Sequence, residues 1–140
     1  MGTGSRNSAV ATAALGVLGF VLLAGCAEQP PTAEPTHLEI TIRADGNTIS
    51  DQFILDCNGT KALDSSTLSE AAEACKLIAE KPEIIVQQQS PQAICTEIFG
   101  GPERAEITGE LAGKSVQSTY SKHNGCAIDR WSRAELLLGQ

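Results

Sequence analysis

The chain has 140 residues, a net charge of −7 and an aromatic content of only 4%. Ten Lys and Arg against seventeen Asp and Glu exclude a charge-driven grip on nucleic acid or anionic lipid, since both need clustered cations. Roughly 100 residues lie beyond the N-terminal apolar segment, enough for one small domain with a thin core.

Residues 1–25 read as an export signal: Arg6 sits in a short leader, an apolar core runs from about Ala9 to Leu23, and small residues precede Cys26. The apolar stretch is shorter than the roughly 20 residues that a transmembrane helix needs. Leu23-Ala24-Gly25-Cys26 resembles the bacterial lipobox, which implies cleavage before Cys26, diacylglycerol on its thiol and anchoring at the outer face of the cell membrane. The alternative is an ordinary cleaved signal with Cys26 left over. Arg6 is the only charge removed with the signal, so the mature chain carries −8 and its attachment rests on acyl chains alone. Ala27 to Thr36 holds three prolines and no apolar periodicity, which predicts an extended tether of roughly 30 Å at about 3.1 Å per residue. The folded domain is predicted over residues 37–140.

Within it, Leu38, Ile40 and Ile42 alternate with Glu39, Thr41 and Arg43, and the Asp45-Gly46-Asn47 turn leads to Phe53, Leu55 and Cys57. That pattern predicts two antiparallel strands. Thr67 and Glu70 have capping-box spacing, and Leu68, Ala71, Ala72, Cys75, Ile78 and Ala79 recur at helical intervals until Pro82 stops the helix. Cys75 then lies on the buried face, placed to reach the strand end at Cys57. Ala105 to Leu111 and Ser115 to Tyr120 form a predicted hairpin around Ala112-Gly113, and Arg133 to Leu138 fits either a closing strand or a short helix. The fold class is α+β. Asn58-Gly59-Thr60 reads as a turn, His123 as an exposed hairpin residue, Trp131 as core, and Glu103, Glu106 and Glu110 as a solvated strand face.

Cys57, Cys75, Cys95 and Cys126 suit two disulfides in an oxidising compartment, each contributing roughly 2 to 4 kcal/mol. Three pairings are possible, and spacing leaves them open. The four contain no CxxC and have His123 as the one nearby imidazole, so no metal or other cofactor is expected. Imidazoles are limited to His37 and His123, and no serine nucleophile motif is present, so the chain does not read as an enzyme.

The chemistry concentrates in Ile94-Cys95-Thr96-Glu97-Ile98-Phe99-Gly100-Gly101-Pro102. A cysteine at one end and a Gly-Gly-Pro turn at the other predict a strand-like loop fixed at both ends. An extended, preorganised segment loses little conformational entropy on entering a protease cleft.

At these residues the chain resembles the Streptomyces subtilisin inhibitor family. The likeness spans about residues 50–132 and rests on the cysteine spacing, Ala74-Cys75-Lys76-Leu77, Gly113-Lys114-Ser115-Val116 and Asn124-Gly125-Cys126. It implies sequential disulfides, Cys57 with Cys75 and Cys95 with Cys126, a five-stranded antiparallel sheet with two helices, and a homodimer. It also implies a serine protease as partner and a reactive bond between Glu97 and Ile98, with Cys95, Thr96 and Phe99 flanking it and Asn124 supporting the loop. Three departures stand out: Glu97 replaces the usual large apolar or basic residue, Gly100-Gly101-Pro102 is about one residue longer than its counterpart, and Asn58 to Asp64 lacks the family's proline-containing pattern. The expected function is therefore a membrane-tethered inhibitor of a subtilisin-like or glutamate-accepting serine endopeptidase. The alternative is a non-inhibitory envelope lipoprotein that keeps the fold as a binding or structural module.

Overall fold

Alternating apolar and polar residues build one antiparallel sheet whose strands are β1 (Pro35–Arg43), β2 (Asp51–Asn58), β3 (Lys61–Ala62), β4 (Gly101–Leu111) and β5 (Lys114–Lys122), ordered β3-β2-β1-β4-β5. The computed structural model describes residues 34–86, 90 and 92–140; the expected export signal, Cys26 and most of the tether lie outside the described residues. β1 begins at Pro35, ahead of the predicted start at His37. Thr36 explains the extra length: it pairs with Cys57, is buried, and its hydroxyl accepts from Ala112 N–H at 2.9 Å.

Period-2 alternation puts Leu38, Ile40, Ile42, Leu55 and Ile107 on one face, all buried, and leaves the opposite face polar. The buried face carries the helices α1 (Ala71–Glu80), α2 (Glu83–Val86) and α3 (Gly125–Ala134), and the tail residues Leu137 and Leu138 complete the core. Two long helices, one short helix and two disulfides on a five-stranded antiparallel sheet make the fold α+β, as expected. Cys57 and Cys75 join the end of β2 to α1 with their Cα atoms 5.7 Å apart.

Local details differ from expectation where tertiary contacts compete for the same groups. The capping box does not form: Thr67 Oγ1 accepts from Ile54 N–H at 2.8 Å, and Glu70 caps α1 without a side-chain bond. Serving β2 takes that hydroxyl away from the helix. Ala72 and Ala79 face outward, while Ala74 joins Cys75 and Ile78 on the buried side. Gly101 and Pro102 are the first residues of β4 rather than a turn, because Gly101 pairs with Lys122. Arg133 to Leu138 is not a strand; α3 ends at Ala134 and turns follow. Asn58-Gly59-Thr60 does form a turn, and Trp131 is core at 1% exposure.

On the polar face His37 Nδ1 meets Asp56 Oδ1 at 2.5 Å. That hydrogen bond raises the imidazole pKa above its usual value against an opposing effect of burial, with further help from the charges of Asp56, Glu39 and Glu110. A raised folded-state pKa stabilises the fold below the ordinary imidazole range, and the gain disappears as pH rises through the folded value. Wild-type stability should therefore fall by less than about 1 kcal/mol between about pH 6 and pH 8. His37→Gln should remove that slope in urea titrations at the two pH values.

Candidate functional site

The segment from Ser90 to Gly100 leaves α2 and reaches β4 without regular structure among its described residues. Its departure point is fixed from below, since Ser118 Oγ donates to Ile85 O and Tyr120 OH donates to Ile84 O at 2.8 Å. These bonds hold α2 on β5.

Three further ties hold the segment. Cys95 is bonded to Cys126 with Cα atoms 5.4 Å apart, which completes the sequential pairing. Gly125 N–H donates to Thr96 O at 2.9 Å, and Gly100 N–H donates to Lys122 O at 2.7 Å. Gly125 gives room for the close approach, because a Cβ there would lie 2.1 Å from Thr96 Oγ1 and force that hydroxyl to move. Between the ties at Thr96 and Gly100 stand Glu97, Ile98 and Phe99, all exposed, with Ile98 at 58% and Phe99 at 70%. Ile94, just before the disulfide, is fully exposed as well. The Glu97 carboxylate has no hydrogen bond or ion pair among the described residues. An open hollow of about 670 Å³ lies beside the loop, bordered by Cys95, Glu97, Phe99, His123 and Asn124.

Asn124 is the N-cap of α3, its Oδ1 accepting from Ala127 N–H at 2.9 Å. The side-chain oxygen thus starts the helix, and the described bond to the loop comes from its neighbour Gly125. Capping matters to the loop nonetheless, because Gly125 and Cys126 are the first two residues of the helix it begins.

Sequence reasoning missed α3 and with it part of the loop's support. The signal was present: Asn124 is a good N-cap, and Ala127, Trp131 and Ala134 fall on one buried face at helical spacing. Glu103 was also misread as a solvated residue. It is half-buried, and its Oε1 accepts from Lys122 Nζ at 3.3 Å.

Among the described residues the remaining polar contacts do not bring a hydroxyl and a carboxylate together on one imidazole. His37 meets Asp56, and exposed His123 Nδ1 meets Ser121 Oγ at 2.5 Å. Neither imidazole joins both a hydroxyl and a carboxylate among the described residues, the arrangement that activates a serine. No group of three or more His, Cys, Asp or Glu that could hold a metal occurs among the described residues. No protein-family model matches the chain, and no curated protein matches it. The two disulfides fit an oxidising, exported environment.

Proposed function

We propose that the chain is a substrate-like inhibitor of a serine endopeptidase and that it offers the Glu97–Ile98 bond to the enzyme. One observation carries this reading: Glu97, Ile98 and Phe99 stand exposed between Thr96, held by Gly125, and Gly100, held by Lys122. A segment immobilised on both sides, with its middle presented to solvent, enters a cleft at low entropic cost.

The covalent step is ordinary acyl transfer held short of completion. The target's serine oxygen bonds to the Glu97 carbonyl carbon, the bond to Ile98 N breaks, and the serine proton passes through the target's histidine to that nitrogen. The amine does not diffuse away. Residues up to Thr96 stay fastened to α3 by Cys95–Cys126, while residues from Gly100 stay in the sheet. Reverse attack by the Ile98 amine re-forms the peptide bond and frees the serine, and proximity favours it over release. Glu97 fills the primary pocket, and Thr96 and Ile98 flank it.

Residues 1–26 supply export and anchoring in this reading, with lipid on Cys26 placing the inhibitor at the outer face of the cell membrane. Cys26→Ser should move the chain from the membrane fraction to the soluble one.

Titrating a subtilisin, a trypsin-like enzyme and a glutamate-specific endopeptidase with the chain lacking residues 1–26 tests the proposal. Stoichiometric loss of one activity is the expected result. No loss of any, with both disulfides formed, would leave the fold as a non-inhibitory binding module.

A further inference from the structure

Covalent and non-covalent restraints are unequally shared between the two sides of the Glu97–Ile98 bond. On the acyl side the Cys95–Cys126 disulfide lies two residues away. On the amine side the first described tie is Gly100 N–H to Lys122 O, and the disulfide reaches that fragment only at Cys126 in α3, far beyond the loop in sequence.

Lys122 is unusually well connected for a surface lysine. Its carbonyl accepts from Gly100, and its backbone pairs with Gly101. The register then slips between Gly101 and Arg104, a β-bulge that re-aims the chain as it leaves the loop. Inside the bulge the Glu103 side chain folds back on Gly101, whose φ is +151° and where a Cβ would lie 1.9 Å from Glu103 Oε2. Glu103 Oε1 accepts from Lys122 Nζ, and that ammonium sits 4.6 Å from the centre of the Trp131 ring. The Glu103 backbone N–H and then the Lys122 ammonium hold the carboxyl below its usual range against an opposing effect of burial. The Lys122 and Glu103 side chains are 22% and 30% exposed, against 57% and 66% for Arg133 and Asp129 on α3. Water therefore screens the first pair less than the second.

We propose that Glu103, Lys122 and Trp131 form a clasp on the amine side of the reactive bond, and that Glu103 and Lys122 are positioning residues that slow hydrolysis of the loop. The inference rests on the inhibitor reading. Once the bond is cut, Cys95–Cys126 keeps the two fragments joined, Gly100 on Lys122 sets how closely the Ile98 amine is held to the acyl group, and the clasp fixes Lys122 to both the bulge and the core. A looser clasp lets the amine wander, and water then takes the acyl group.

The test compares wild type with Glu103→Gln, Lys122→Met and Lys122→Arg, using His37→Gln as a remote control, against whichever panel protease wild type inhibits. Mass spectrometry follows the rate of cleavage between Glu97 and Ile98, and hydrogen exchange follows the Gly100 amide. Glu103→Gln and Lys122→Met should be cut about fivefold faster, the ratio corresponding to a partly buried ion pair, with faster Gly100 exchange. Lys122→Arg and His37→Gln should behave as wild type. Cleavage and Gly100 exchange at wild-type rates in both Glu103→Gln and Lys122→Met, even with a lowered melting temperature, would overturn the clasp. Absence of inhibition by wild type itself would overturn the inhibitor reading, and the clasp's role with it.

Discussion

Replacing Glu97 with leucine is expected to redirect the loop toward proteases with apolar primary pockets. Glu97 is exposed between the ties at Thr96 and Gly100, so its replacement leaves the core and both disulfides intact. A carboxylate entering an apolar pocket gives up its solvation without gaining a partner, at a cost of several kcal/mol. A leucine there gains about 2 kcal/mol from burial. Even a combined change of only about 3 kcal/mol amounts to about 100-fold in inhibition constant, so Glu97→Leu should bind subtilisin at least that much more tightly than wild type does. The opposite shift should appear against a glutamate-specific endopeptidase, whose pocket must supply a cation or hydrogen-bond donors for the carboxylate. Parallel titrations of both enzymes with both proteins measure the crossover. Unchanged constants in a folded, disulfide-bonded variant would mean that Glu97 does not enter the primary pocket.

The second large effect separates the two disulfides, which stabilise the fold similarly but serve the loop differently. Cys57–Cys75 spans 18 residues and Cys95–Cys126 spans 31. By loop-closure entropy their removal costs about 3 and about 3.5 kcal/mol respectively, too small a difference to rank them by stability. Position distinguishes them. Cys57–Cys75 joins β2 to α1, away from the loop, whereas Cys95 is two residues from the proposed reactive bond. The Cys95→Ser/Cys126→Ser variant should lose inhibition and be cleaved as a substrate at temperatures where it is still folded. The Cys57→Ser/Cys75→Ser variant should show a similar fall in denaturation midpoint yet keep inhibition while folded. Equal loss of inhibition in both folded variants would make the disulfides general staples with no special part for the loop.

Much of the sheet was legible in the sequence because its signals are local. The alternation in Leu38, Ile40 and Ile42 and the Ala112-Gly113 turn need only period 2 and a tolerance for positive φ, found at +48° and +72°. The loop's exposed middle was legible too, since a cysteine on one side and glycines on the other bracket a short apolar run. What stayed hidden depends on contacts far apart in the chain. Thr67 looked like a cap but serves Ile54, thirteen residues earlier. Glu103 looked solvated but meets Lys122, nineteen residues later. Asn124 looked like a loop support, and its side chain caps α3 instead, accepting from Ala127 N–H. The Gly-Gly-Pro segment resembled a turn by composition, yet pairing with β5 drew Gly101 into the sheet. For Thr67, Glu103 and Gly101 a distant partner claimed a group whose local preference lay elsewhere.

The most direct measurement of the central claim is the identity of the bond at equilibrium between the inhibitor and its target. The chain lacking residues 1–26 is mixed with the panel protease that it inhibits, and the bound inhibitor is recovered and denatured for intact-mass and peptide-mass analysis without reduction, then with it. The account predicts a mixture of intact chain and chain cut only between Glu97 and Ile98, the two cut pieces staying joined through Cys95–Cys126 on unfolding and separating only after reduction. An inhibited complex whose chain is cut at another bond, or in which blocking the loop leaves inhibition unchanged, would contradict it.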